Sequence, residues 1–189
     1  STGIEDGNQL YYKMVNDIYV NDVSSPTWKS AAQNNQWAVG YTSEEAKESA
    51  FGGVFNGNGY KVFGLYVNKT YEAPADDSLD LSMTTGLFPS VKDSAKIYAV
   101  GVENSYFALR NNSATAQKAY SGYIGTIAGY AYLSTSTDPI VIDRCYASAD
   151  VYTAGVYCGM VAGLSSNKNK TIKLSNSYGI CKKSEKHQH

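Results

Sequence analysis

The residues able to do covalent or metal chemistry are few in this chain and poorly spaced for it. Its two histidines, His187 and His189, lie in a C-terminal stretch reading K-K-S-E-K-H-Q-H. The body therefore has no Ser-His or Cys-His pair and no histidine-based zinc or iron site. Cys145, Cys158 and Cys181 match no metal-binding spacing. They read as small apolar packing residues, with a Cys158–Cys181 bridge as the alternative. Asp76, Asp77 and Asp80 share one loop and are weak candidates for calcium; no defined ligand spacing supports them, and a solvated loop is the plainer reading. Glycoside cleavage needs two carboxylates about 5–9.5 Å apart. Stacked repeats could bring Glu103 near Asp143, but a surface ladder of Asp143 with Arg144 is the better reading. No acidic-and-basic cluster of the kind a lyase requires stands out. No catalytic residue and no resident cofactor are expected.

What the chain has in excess is tyrosine, 17 residues against five Phe and two Trp. Trp28, Trp37, Tyr41, Tyr71, Tyr120, Tyr130 and Tyr132 fall in or beside predicted loops. An exposed ring can take the apolar C–H face of a sugar while nearby amides and carboxylates take its hydroxyls. The competing role is packing, because large rings also cover loop bases and strand ends. Each buried tyrosine hydroxyl needs a partner, so 17 of them cannot all be core. Some must line the surface. Asn-Xaa-Ser/Thr triplets at Asn68, Asn111 and Asn169 mark polar loops or corners. Asn68, Asn104 and Asn176, near strand ends, suit stacked amide ladders.

Charge narrows the partners. Lys+Arg number 16 and Asp+Glu 17, so no net field draws nucleic acid or an anionic membrane. Charged residues make up 17% of the chain, below the roughly 25% of ordinary soluble domains. No run nears the roughly 18 consecutive apolar residues of a membrane span. The length fits one domain, able to bury its core without disulfides or metals.

The elements that position these residues are mostly strands. Four Pro and 17 Gly punctuate short runs rich in Val, Ile and Tyr. Short helices are predicted only over Thr27–Gln33 and Ser43–Ala50, the second capped by Ser43 with Glu44 and Glu45 in its first turn. Repeats carry more information. G-L-F-P-S at Gly86, G-T-I-A-G at Gly125 and G-M-V-A-G at Gly159 recur 39 and 34 residues apart. After each comes a short strand, Ile97-Val100-Val102, Ile142-Cys145-Ala147 and Leu174-Ser177-Gly179, with an earlier copy read as Val62-Leu65-Val67. Fixed order with variable spacing predicts a β-solenoid with loops of different length inserted in its coils. The alignment sets Tyr66, Tyr146 and Tyr178 in one column with Gly101; Ser105-Tyr106 offers a second register.

F-G-G-V-F-N-G-N-G-Y-K-V-F-G-L-Y-V at Phe51–Val67 resembles a signature of secreted bacterial β-helix proteins. The G-x-[IV]-A-G units and the strand with Arg144-Cys145-Tyr146 resemble the GLUG-type repeats of that group. M-V-N-D-I-Y-V and W-A-V-G at Trp37 resemble the segments that precede them. The resemblance covers roughly residues 11–181 and departs at Asn56, where the family usually has Asp. It implies an all-β, right-handed parallel β-helix and a secreted or cell-surface location, within a larger protein of several modules. It supplies no catalytic residues. The chain is thus expected to be a single domain: a capping segment over residues 1–50, repeat coils over 51–181 and a disordered tail over 182–189. Its expected role is non-catalytic binding of a polysaccharide or glycoprotein glycan through exposed rings, or adhesion. A structural spacer or protein–protein module is the alternative, and a polysaccharide-cleaving enzyme a second.

Overall fold

The computed structural model describes residues 4–6, 9–71, 82–111, 122–133, 138–152, 156–165 and 171–183. Strands dominate it. The N-terminal segment holds β1 (Ile4–Asp6), β2 (Gln9–Lys13), β3 (Ile18–Tyr19), a short helix α1 (Trp28–Ala31) running into a 3-10 turn, β4 (Val39–Tyr41) and α2 (Glu44–Ser49). Both predicted helices are present. Ser43 caps α2 by accepting a hydrogen bond from the Ala46 amide at 3.0 Å.

Beyond α2 the chain visits three sheets in a repeated order. β5 (Val54–Asn56) lies in sheet A, β6 (Lys61–Phe63) and β7 (Tyr66–Tyr71) in sheet B, and β8 (Met83–Thr85) and β9 (Phe88–Lys92) in sheet C. The next round is β10 (Lys96–Tyr98), β11 (Gly101–Asn111) and β12 (Gly122–Tyr132). A third is β13 (Ile140–Asp143), β14 (Tyr146–Tyr152) and β15 (Val156–Leu164), and β16 (Ile172–Ser175) and β17 (Tyr178–Lys183) begin a fourth. Neighbours from successive rounds pair in parallel. The link between two parallel neighbours is made by strands of the other two sheets, so no crossover helix is needed. β2 and β3 add a leading parallel strand to sheets A and B. β1 pairs antiparallel with β2, and β4 antiparallel with β8.

Alternation along each strand sends one set of side chains inward, and register stacks that set into columns. Ile97, Ile142 and Leu174 form one column, and Val102, Ala147 and Gly179 another. Both alignments match the repeats read from sequence. The first copy does not: Phe55, not Val62, lies beside Ile97, and Val62 lies beside Val102. The turn at Asn58-Gly59 lengthens that round and displaced the alignment.

From β5 onward, each passage from sheet A to sheet B includes a left-handed residue other than glycine: Asn58 (φ 54°, followed by Gly59 at 83°), Ala99 (49°), Arg144 (53°) and Asn176 (48°). These corners bond to one another, Ala99 N–H to the Asp143 carbonyl at 3.0 Å and Arg144 N–H to that of Ser175 at 3.2 Å. Asparagine tolerates this conformation better than alanine or arginine does. The amide ladder expected of Asn68, Asn104 and Asn176 is not formed. Asn176 is a corner that donates to Asp143, Asn104 kinks β11 at φ 46°, and Asn68 accepts from Arg110 on β11.

Two irregularities reset the outer columns. β11 carries extra length against β14 between Val102 and Ser105, and β12 against β15 between Gly125 and Ala128. Against the first round β11 keeps one register throughout, so Tyr66 pairs with Tyr106, not with Gly101, and its ring stacks on Tyr106 at 5.4 Å. Tyr146 and Tyr178 do share a column with Gly101, their rings stacked at 5.4 Å. The first-round residue at that station is Lys61. Trp28, Ala32 and Tyr66 form a second apolar cluster apart from the main core. Val67 and Phe107 face the core, so the alternating Tyr66 and Tyr106 face outward and α1 covers that outer side.

Candidate functional site

The outer face of sheet C carries the largest group of linked tyrosine rings among the described residues. In β12, Ile124 and Ala131 point into the core, so Tyr123, Tyr130 and Tyr132 point out. Tyr157 on β15 lies beside Tyr123 in register. The Tyr123 and Tyr157 rings stack at 5.4 Å and 14°, while Tyr123–Tyr130 and Tyr130–Tyr132 meet edge-on at 5.1 and 5.0 Å. These are the offset and edge-to-face arrangements that ring quadrupoles favour. Tyr157 is 57% exposed, the most open of the four.

A glycine makes room for this array. A Cβ on Gly163, which lies beside Tyr130 in β15, would sit 2.4 Å from the Tyr123 ring and 2.7 Å from that of Tyr130. Both rings can approach the β15 backbone at Gly163 only because that Cβ is missing. Gly163 closes the G-M-V-A-G unit.

Beside the rings, the start of α2 forms the wall of a cleft of about 440 Å³, whose lining includes Thr42, Ser43, Glu44, Lys47, Tyr130 and Ser165. Tyr132 ties this wall to sheet C. Its hydroxyl accepts from the Ser43 amide at 3.2 Å and lies 3.2 and 3.3 Å from the carbonyls of Tyr41 and Ser43. Burial raises the Tyr130 phenol above its usual value, and the charges of Tyr123 and Tyr132 push the same way. Burial also raises that of Tyr132, against the pull of Ser43. Both stay neutral hydroxyls at physiological pH, able to donate and accept.

The seven aromatic candidates part company here. Tyr130 and Tyr132 belong to the array, and Tyr41, 41% exposed, adjoins it through β4. Trp28 is buried and stands edge-on to Tyr66 at 6.1 Å. Trp37 packs against the core, and its indole N–H donates to the Gly86 carbonyl at 2.9 Å. Both tryptophans therefore pack the N-terminal segment down. Tyr71 ends β7, but its side chain, like Tyr120, lies outside the described residues. The sequence reading did not select Tyr123 and Tyr157. Their signal was present: each stands two residues before an aligned glycine, Gly125 and Gly159.

Ionisable groups gather elsewhere. On sheet B the Tyr146 hydroxyl donates to Glu103, and Lys61 Nζ lies 3.0 Å from the same carboxylate. The Tyr146 bond, with Lys61, holds the Glu103 carboxyl below its usual range, and Glu103 in turn raises Lys61. Burial first, then Glu103, raises Tyr146. Each group is thereby held in its resting charge state, the opposite of an acid or base poised near neutrality. Asp143 belongs to sheet A, where Asn176 and Ser175 lower its carboxyl, with Arg144 bonded at 2.8 Å. Glu103 and Asp143 thus lie on different sheets with different partners, and the surface ladder with Arg144 is the arrangement seen.

Among the described residues no group of three or more His, Cys, Asp or Glu could hold a metal ion. Asp76, Asp77 and Asp80 lie outside those residues. Cys145 is buried, its thiol 3.6 Å from the Ile97 carbonyl and raised by desolvation. Cys158 sits exposed on β15; the side chain of Cys181 on β17 lies outside the described residues. No helix among the described residues is long and apolar enough to cross a membrane. No protein-family model, curated protein or solved structure matches the chain.

Proposed function

We propose that this chain is a glycan-binding module of a secreted or surface-attached bacterial protein, built as a right-handed parallel β-helix of the GLUG-type group. The repeated visit to three parallel sheets supports the fold reading. The connected array Tyr157–Tyr123–Tyr130–Tyr132 beside a polar cleft carries the functional one. A pyranose laid on Tyr157 and Tyr123 keeps its C–H face on the rings. Sugar units that continue along the array to Tyr130 and Tyr132, which line the cleft, bring hydroxyls toward Ser43, Thr42, Glu44 and Ser165. The array rests on hydrogen-bonded strands and its rings brace one another, so little side-chain entropy is lost on binding. The partner is a polysaccharide or glycoprotein glycan, and flanking modules of a larger protein supply whatever chemistry acts on it.

Affinity electrophoresis and glycan arrays spanning plant, mucin and bacterial cell-wall sugars test the proposal. Retention by at least one class is expected, with Tyr157→Ala weakening it about tenfold or more, the size of one lost ring contact of about 1.5 kcal/mol. No retention by any class, or retention untouched by Tyr157→Ala and Tyr123→Ala together, removes it.

A further inference from the structure

A second cleft, on the outer side of sheet B, is built from parts that the tyrosine array does not use. It holds about 440 Å³, and its lining includes Ser24, Ser25, Lys29, Asn104, Ser148 and Asp150. That volume is within the roughly 300–1,000 Å³ of small-molecule sites. A β-bulge shapes one side of it. Between Val102 and Ser105, β11 has one residue more than β14, so Glu103 and Asn104 together stand opposite Ser148. Asn104 takes up the extra length in the left-handed region, at φ 46°. A bulge bends its strand and re-aims the side chains at the kink. Along β14 the alternation buries Ala147 and Ala149 and leaves Ser148 and Asp150 on the outer side.

The opposite wall is the segment leading into α1. Asn21 fastens it by donating to the Gly64 carbonyl at 2.8 Å. Asp22 turns it by accepting from the Ser24 amide at 2.9 Å, and the Ser25 and Thr27 hydroxyls bond each other at 2.9 Å. Trp28 anchors it, buried against Tyr66, and Lys29 bonds across to Asp150 on β14. Both walls are therefore fixed before any ligand arrives, so little is lost in ordering them. The fold leaves two polar groups of the cleft unused. Among the described residues, neither the Asn104 amide nor the Ser148 hydroxyl has a hydrogen-bond partner.

We propose that this cleft binds one neutral pyranose unit. Charge selects against an anion: Lys29, the cation lining the cleft, is already neutralised by Asp150. Drawing that lysine onto an anion would leave the carboxylate unpaired. Neighbouring sugar hydroxyls suit the groups present. The Asn104 amide and the Ser148 hydroxyl each donate and accept, and Asp150 bonds Lys29 through Oδ2, leaving Oδ1 to accept. Val23 and Pro26, also in the lining, offer apolar contact to ring C–H groups. This site shares no residue and no sheet with the tyrosine array, so it stands or falls independently of it.

Amide chemical shifts of the isotope-labelled chain, followed while methyl glycosides of glucose, mannose, galactose and N-acetylglucosamine are added, test this. At least one glycoside should shift Ser25, Asn104 and Ser148 together, saturating with a dissociation constant of about 1–10 mM, the scale expected of about a dozen heavy atoms. Asn104→Gly keeps the left-handed backbone and removes the amide, and should weaken binding about fivefold. Ser148→Leu fills the cleft from an outward position and should weaken it at least about tenfold, with the strand circular dichroism of the parent retained. A trisaccharide bound as well as its monosaccharide marks the end of a glycan as the ligand, and one that is excluded marks a free sugar. Three results each overturn the proposal: no glycoside moves these amides, both variants respond as the parent does, or inorganic phosphate or glucuronate binds here more tightly than every neutral glycoside.

Discussion

Gly163→Ala isolates the contact on which the tyrosine array depends. Gly163 is not in the left-handed region, so its backbone accepts alanine and only the added methyl group matters. That carbon would lie 2.4 Å from the Tyr123 ring and 2.7 Å from the Tyr130 ring. Relaxed carbon–carbon contact is about 3.5–4.0 Å, so both rings must retreat by about 1 Å. Overpacking of this kind costs about 1–3 kcal/mol. Loss of glycine freedom in the unfolded chain returns about 0.4–1 kcal/mol. The rings are partly exposed and swing outward, which puts the net loss near 1 kcal/mol, or about 2–4 °C in melting temperature at this length. Gly179→Ala is the internal control. A Cβ there meets nothing nearer than Thr126 Oγ1 at 4.0 Å, and its column neighbour is already Ala147. It should gain about 0.4–1 kcal/mol. Thermal melts followed by near-ultraviolet circular dichroism read both stability and tyrosine packing. If Gly163→Ala melts at or above the parent with its tyrosine signal unchanged, the role given to this glycine is wrong.

Trp28→Ala should destabilise by about 3 kcal/mol, because it empties the centre of the cluster with Ala32 and Tyr66; chemical unfolding gives the value, and a change below about 0.5 kcal/mol contradicts the covering role of α1. Glu103 is held below its ordinary 4.5, so its stabilising contribution is present above that value and lost as pH falls through the lower folded one. Lys61 and Tyr146 are raised above 10.5 and 10.0, so theirs is present below those values and lost as pH rises through the folded ones. Glu103→Gln should therefore flatten the acid limb of a melting-temperature profile, and an unaltered limb would count against the cluster. Cys145, buried with its thiol raised, should resist alkylation at pH 8 until the chain unfolds; peptide mapping of labelled native protein checks this.

The parts of the fold legible beforehand are those written in short-range pattern. The Gly125 and Gly159 units lie beside each other, as do Ile142 and Leu174, because a column needs the same residue class at the same station each round. Ser43 was legible as a cap because capping needs only its own next few residues. The turn at Asn58-Gly59 displaced the first coil, and Tyr66 with it, because the pairing of β6 and β7 with β11 keeps one offset past Gly64 and Asn104. Loop position misjudged the tryptophans, which lie in the N-terminal segment yet pack inward.

Sequence alone determined that the chain is mostly strand, repeats with irregular spacing, has few residues for covalent chemistry and holds more tyrosine than a core can use. Tertiary structure decided which tyrosines meet. Tyr123 and Tyr157 are 34 residues apart and Tyr41 and Tyr132 are 91, and such pairs come together only through strand register. A single added residue in β11 or β12 moves every outward side chain beyond it to a new neighbour, and no periodicity in the chain encodes that shift.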